Sequence, residues 1–142
     1  MEPEHRPIVL IATDGGVSRG EFLLWEQSPA DASAVRLAVS VGDVNFVRDG
    51  DEFFTALCDV RDDLETLGLV PQCYGASRNV YPSGMSREMG VCEKAYRLVP
   101  GIPGQMADLV NIFDDGPDVD PVSVSVQQAF FEDWTRSLGH AG

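Results

Sequence analysis

Four residues that could do chemistry lie close together in the stretch CYGASRNVYPSGMSR: Cys73, Arg78, Tyr81 and Arg87. Two guanidinium groups can hold an anion bidentately, a phenol ring can stack on a planar ligand, and Gly84 lets backbone N–H groups approach closely. Cys73 is the one nucleophile of the group. With no histidine beside it, it would depend on Arg78 to lower its pKa. Together these residues make one candidate site, for a small anion or a nucleotide, and an enzymatic one if Cys73 reacts. The stretch 78–90 is neither helix-periodic nor strand-periodic, and long irregular loops inside small domains are often functional. The plainer alternative is a connection whose arginines pair with acids elsewhere while Tyr81, Met85 and Met89 pack back onto the domain.

Other chemistry is scarce. The two histidines, His5 and His140, sit near the chain ends, so a histidine-based triad or dyad is not expected. The motifs HExxH, GxGxxG, GxSxG and the phosphate-binding GxxxxGK are absent from the sequence. Cys58, Cys73 and Cys92 form no CxxC pair. Neither a zinc site nor a disulfide framework is indicated, and reduced thiols are expected. DDGPDVD at 114–120 offers several carboxylate oxygens in a short loop, as calcium needs. It lacks the closing glutamate of an EF-hand and is stiffened by Pro117 and Pro121. No metal and no cofactor is expected.

Carboxylates dominate the rest. Twenty-three Asp and Glu against ten Lys and Arg give a formal net charge of −13 and a pI of about 4.3. That disfavours nucleic acid, whose phosphates need clustered cations, and anionic membrane surfaces. It favours a basic protein partner met through complementary potential. The acids concentrate in 51–65 and 114–120, whereas 78–97 carries four cations against two acids. Candidate contact residues are therefore Asp59, Asp62, Asp63, Asp114 and Asp115. Tyr81 and Met85 are the candidate anchors, of the kind that lengthen a complex's residence time. The opening MEPEHRP has no cationic stretch leading into a long apolar run, so no secretory signal is expected. No segment reaches the roughly 18 apolar residues of a transmembrane helix. A cytoplasmic location is expected, and nothing in the sequence bears on oligomeric state.

The elements that must position these residues follow from periodicity. PIVLIAT (7–13) and GEFLLWEQ (20–27) read as strands separated by Asp14-Gly15-Gly16 turn chemistry. VRLAVSV (35–41) alternates, with Val35, Leu37, Val39 and Val41 on one face, and VNFV (44–47) follows after Gly42-Asp43. Connections this short imply an antiparallel meander. Phe53, Leu57, Val60, Leu64 and Leu67 then form a helical stripe, with Asp49 or Asp51 as N-cap and Gly68 at the C-terminal end. Its outer face is acidic, with only Arg61 opposing. Strand patterns return at 69–76, where Pro71 suggests an edge, and at 91–99 and 106–113, the last of which also fits a helical turn. A closing helix over 122–138 places Val126, Phe130, Trp134 and Leu138 four apart, with Ser123 or Ser125 as N-cap and a capping box from Ser125 to Gln128. The expected architecture is a single α+β domain over 1–142, a mostly antiparallel sheet covered on one face by two helices, with 1–6 and 139–142 frayed.

The segment CYGASRNVYPSGMSREMG, with AYRL after it, resembles small acidic bacterial proteins. The wider profile over 50–138, a compact acidic α+β domain without catalytic motifs, is similar to immunity proteins that neutralise toxins. That resemblance implies a non-enzymatic binding function in which acidic side chains meet a basic toxin or effector. It carries over no site residue.

Overall fold

Period-two alternation sets the first half of the chain. The computed structural model describes residues 2–84 and 90–139, residue 106 by its backbone alone. Strands β1 (Glu4–Ala12), β2 (Val17–Trp25), β3 (Val35–Val41) and β4 (Val44–Gly50) run as an antiparallel meander. Their inward positions, Ile8, Leu10, Phe22, Leu24, Val35, Leu37 and Val39, are all buried. Residues 4–6, expected to fray, are instead held in β1 opposite Leu24, Leu23 and Phe22. β4 also runs on to Gly50, three residues beyond its apolar run, because β3 offers it a full-length partner.

Helix α1 (Phe53–Glu65) lies on that face, burying Phe53, Leu57, Val60 and Leu64. Leu67, the fifth residue of the stripe, is exposed because the helix has already ended. Neither Asp49 nor Asp51 caps α1. Glu52 does, its carboxylate accepting from the backbone N–H groups of Phe54 and Thr55. Asp49 is drawn into β4, where Arg36 and Ser28 hydrogen-bond it. Gly68, at φ +71, reverses the chain into β5 (Leu69–Pro71), a conformation glycine adopts without strain. β5 pairs with β1 alone, so Pro71 does sit on an edge and the sheet order is β4-β3-β2-β1-β5. The strand expected over 69–76 stops at Pro71, and Tyr74–Ala76 form a 3-10 turn.

The second half builds a smaller sheet, β6 (Val80–Tyr81), β7 (Lys94–Arg97) and β8 (Leu109–Asn111), in that order. β7 and β8 are shorter than their sequence patterns, and a 3-10 turn, Met106–Asp108, precedes β8. The last helix, α2 (Val124–Gly139), rests against β6 and α1. The fold is therefore mixed α+β, as its pattern implies, with the strands divided between two sheets. Among the described residues no helix is long and apolar enough to cross a membrane.

One aromatic group joins the halves. Phe113, just past β8, meets Phe22 of β2 at 5.3 Å and Phe53 of α1 at 5.7 Å between ring centroids, both edge to face. All three rings are almost fully buried. Such pairs add to the area they remove from water. Phe113→Ala is expected to destabilise the fold by about 3–5 kcal/mol, measured by urea denaturation; a loss below about 1 kcal/mol would show that the two sheets are joined elsewhere.

Candidate functional site

The residues singled out in the sequence are distributed to separate places. Asp59 and Asp62 lie on α1; the Arg48 guanidinium is held above its ordinary pKa first by Asp63 and then, more weakly, by their charges. Asp63 is not free for a partner, since Arg48 of β4 clamps it bidentately at 2.7 and 2.8 Å. Asp114 is ion-paired with Arg6 of β1. Asp115 accepts from the Gln72 amide at 3.0 and 3.2 Å and from the Gly116 N–H. Asp118 and Asp120 of the same loop take Arg97 and Arg78 as ion-pair partners. The loop 114–121 is thus a strap stitched to the domain by its carboxylates rather than a free acidic surface. Met85 and Arg87 lie outside the described residues.

The described members of the proposed ligand group, Cys73, Arg78 and Tyr81, lie in different environments. Cys73 is fully buried in the core, and burial pushes its thiol up to about 11. The cation near it is Arg61, whose field opposes that rise without overcoming it. Arg78 lies at the surface, its Nε donating to Asp120 at 2.9 Å. A buried, protonated thiol is a poor nucleophile. Tyr81 sits on β6, half-buried. Among the described residues no group of three or more His, Cys, Asp or Glu is placed to hold a metal ion.

The structure assembles two things the sequence reading passed over. The first is a buried polar clamp. Arg61, on α1, is 4% exposed and has no carboxylate partner among the described residues. Its guanidinium donates to the carbonyls of Gly75 and Val122 at 3.1 and 2.9 Å and to the Gln127 side-chain oxygen at 2.6 Å. Gln127, on α2 and 1% exposed, turns its amide nitrogen to the carbonyls of Gly75, Ser77 and Val80 at 2.8–2.9 Å. α2 is therefore seated by Gln127. The stripe expected to face inward holds in part: Trp134 lines the cleft, but Val126 is 38% exposed, and the inner position beside it is Gln127, with Phe131 joining Trp134 at the cleft. Ser123 supplies the cap, accepting from the Val126 N–H at 3.3 Å. Gln128, expected in a capping box, instead accepts from the Tyr81 hydroxyl at 2.9 Å.

The second is an aromatic cleft of about 330 Å³ between α2 and the small sheet, lined by Tyr81, Pro82, Tyr96, Leu98, Phe131 and Trp134 among others. Tyr81 and Tyr96 are directly opposed on β6 and β7, so they share one face of the sheet. Phe131 stacks on Tyr81 at 4.0 Å and 14°, and Trp134 lies 6.0 Å further along at 26°. Two of the rings, Tyr81 and Trp134, are fixed at their edges by hydrogen bonds. Residues 99–102, Val-Pro-Gly-Ile, make a tight turn closed by Ile102 N–H to Val99 C=O at 3.0 Å, with Gly101 at φ +81. This is the glycine position of a type II turn. The turn is fastened to α2 twice: the Trp134 indole donates to the Ile102 carbonyl at 3.0 Å, and the Gly101 N–H donates to Ser137 at 2.8 Å. Val99 and Ile102 remain about half-exposed beside the cleft.

Sequence signals for both features existed. Arg61 stands four residues after Leu57 and seven after Phe54, on the flank of the apolar stripe. Phe131, Trp134 and Leu138 form a second stripe that begins at Gln127. No protein-family model matches this chain, and no curated protein matches it in sequence.

The strap also carries a pH signature. The Asp118 carboxyl is held below its ordinary value of 3.8, first by the Tyr74 hydroxyl at 2.6 Å and further by Arg97. A carboxyl whose pKa is depressed by folding stabilises the fold above its unfolded value and ceases to do so as pH falls through its folded value. Asp49 and Asp63 shift in the same direction, each through its arginine first. The melting temperature is expected to fall as pH drops below about 4, and to fall less steeply in Asp118→Asn, which starts lower at neutral pH. Parallel calorimetric curves for the two proteins would contradict this assignment.

Proposed function

We propose that this chain is a non-enzymatic protein-binding module, an immunity-type inhibitor of a basic toxin or effector. The observation that carries the reading is the aromatic cleft on a chain of net charge −13. Two of its rings, Tyr81 and Trp134, are held at their edges and pack against Phe131, yet they are only partly covered. Rigid aromatic residues that keep surface open are typical anchors of protein interfaces, where they give area at little entropic cost. The net charge supplies the other half of recognition, long-range attraction that raises the encounter rate with a cationic surface. Asp59 and Asp62, which make no side-chain hydrogen bond among the described residues, are the contact acids that this reading keeps. Asp63, Asp114 and Asp115 contribute to the potential from within their ion pairs and hydrogen bonds.

Association with the basic product of a neighbouring gene tests this. Stopped-flow mixing is expected to give an on-rate that falls about tenfold or more between about 0.05 and about 0.5 M NaCl, and that falls further in Asp59→Asn/Asp62→Asn. Binding indifferent to salt, or no binding to any such product, would overturn the proposal.

A further inference from the structure

The chemistry of the cleft specifies what it takes from that partner, and this inference rests on the binding reading above. Its lining is aromatic: Tyr96 and Tyr81 from the sheet, Phe131 and Trp134 from α2. Among the described residues, none that lines it is charged. A π face attracts a cation through its quadrupole, and guanidinium adds stacking, because it is planar and weakly hydrated. The rim adds negative charge. The Tyr81 hydroxyl donates to Gln128, whose amide donates to the Glu132 carboxylate at 3.3 Å. This chain of hydrogen bonds leads from the cleft wall to an exposed acid on the same helix. The other helix acid beside Trp134, Asp133, is already paired with Arg136. The floor of the cleft is buried Leu98, suited to the methylenes of a long side chain.

We infer that the cleft between α2 and the small sheet receives an arginine side chain of a basic polypeptide partner, its guanidinium against the rings of Tyr96 and Trp134 and oriented by Glu132. A neutral aromatic or proline side chain would fill the same volume, but it would leave the charge of the chain and of the rim unused. The tight turn 99–102 with its exposed Val99 and Ile102 would meet the apolar residues flanking that arginine.

The chain has two tryptophans, Trp25 and Trp134, so Trp25→Phe leaves Trp134 as the sole indole reporter. The probe is a short capped Gly-Arg-Gly peptide, compared with the same peptide carrying citrulline, the uncharged isostere of arginine. A saturable change in Trp134 fluorescence is expected with the arginine peptide, at least about fivefold tighter than with citrulline. Tyr96→Leu, which keeps apolar volume and removes one π face, is expected to reduce that preference. Asp43→Asn, in the β3–β4 turn of the five-stranded sheet, is expected to leave it unchanged. Equal affinity for the two peptides, no saturable response to either, or full arginine preference in a folded Tyr96→Leu protein would each overturn the assignment. If Tyr96→Leu does not fold, the comparison of arginine with citrulline decides alone. Should the arginine preference fail while salt-sensitive association with the basic gene product persists, the partner docks without this arginine contact and the binding reading stands.

Discussion

A guanidinium buried without a carboxylate is the constraint on which the second half of this molecule is built. Removing such a charge from water carries a penalty of several kcal/mol unless its donors are met. Arg61 offsets part of that penalty through its two terminal nitrogens, with oxygens drawn from three different segments: the 3-10 turn after β5, the entry to α2, and Gln127 within α2. Its buried Nε has no hydrogen-bond partner among the described residues, and burial holds the guanidinium below its ordinary pKa. Gln127 cannot be exchanged for an apolar residue without consequence. Its amide is also the partner of the Gly75, Ser77 and Val80 carbonyls, and a buried carbonyl stripped of its donor costs about 1–3 kcal/mol. One pair of side chains thus fixes the angle at which α2 leaves the domain. That angle sets which residues of α2 turn inward, and so brings Phe131 and Trp134 over the tyrosines of the small sheet.

The surplus of acid divides into two populations by this architecture. One is consumed internally. Asp49 joins β4 to β3 through Arg36, Asp63 joins α1 to β4 through Arg48, and Asp114, Asp118 and Asp120 fasten the strap to β1, β7 and the approach to β6. Exposed pairs of this kind each contribute little to stability, but together they specify where a loop rich in turn residues must lie. The other population, including Asp59 and Asp62, is left over and sets the sign of the field a partner meets. Arginine, not lysine, does nearly all of the internal pairing, in keeping with its forked geometry.

Legibility followed the strength of local signals. β3 emerged with its expected bounds because alternation and burial agree there residue by residue. α1 was recognisable from its stripe, and Gly68 from its place after it. The cap was misassigned because aspartate is the commoner cap, whereas a buried Glu52 reached the same N–H groups with a longer side chain. The first turn of α2 was misread because Val126 is more apolar than Gln127. Hydrophobicity ranks Val126 inward, whereas the carbonyls around Arg61 select the glutamine. The cleft was half visible: Tyr81 was singled out, but Tyr96, Phe131 and Trp134 converge on it only through strand pairing and the seating of α2. Cys73 and Arg78 are neighbours in sequence that the 3-10 turn sends to opposite environments, one into the core and one to the strap.

The central claim is that the Arg61–Gln127 clamp, rather than apolar burial, holds α2 and its aromatic residues in place. Native-state hydrogen exchange on Gln127→Leu measures this directly, since protection reports local opening element by element. The amides of α2 and β6 are expected to lose at least about tenfold in protection while those of α1 and the five-stranded sheet retain theirs. Unchanged protection of α2 in that variant would contradict the claim, and would show that apolar contacts alone are sufficient to seat the helix.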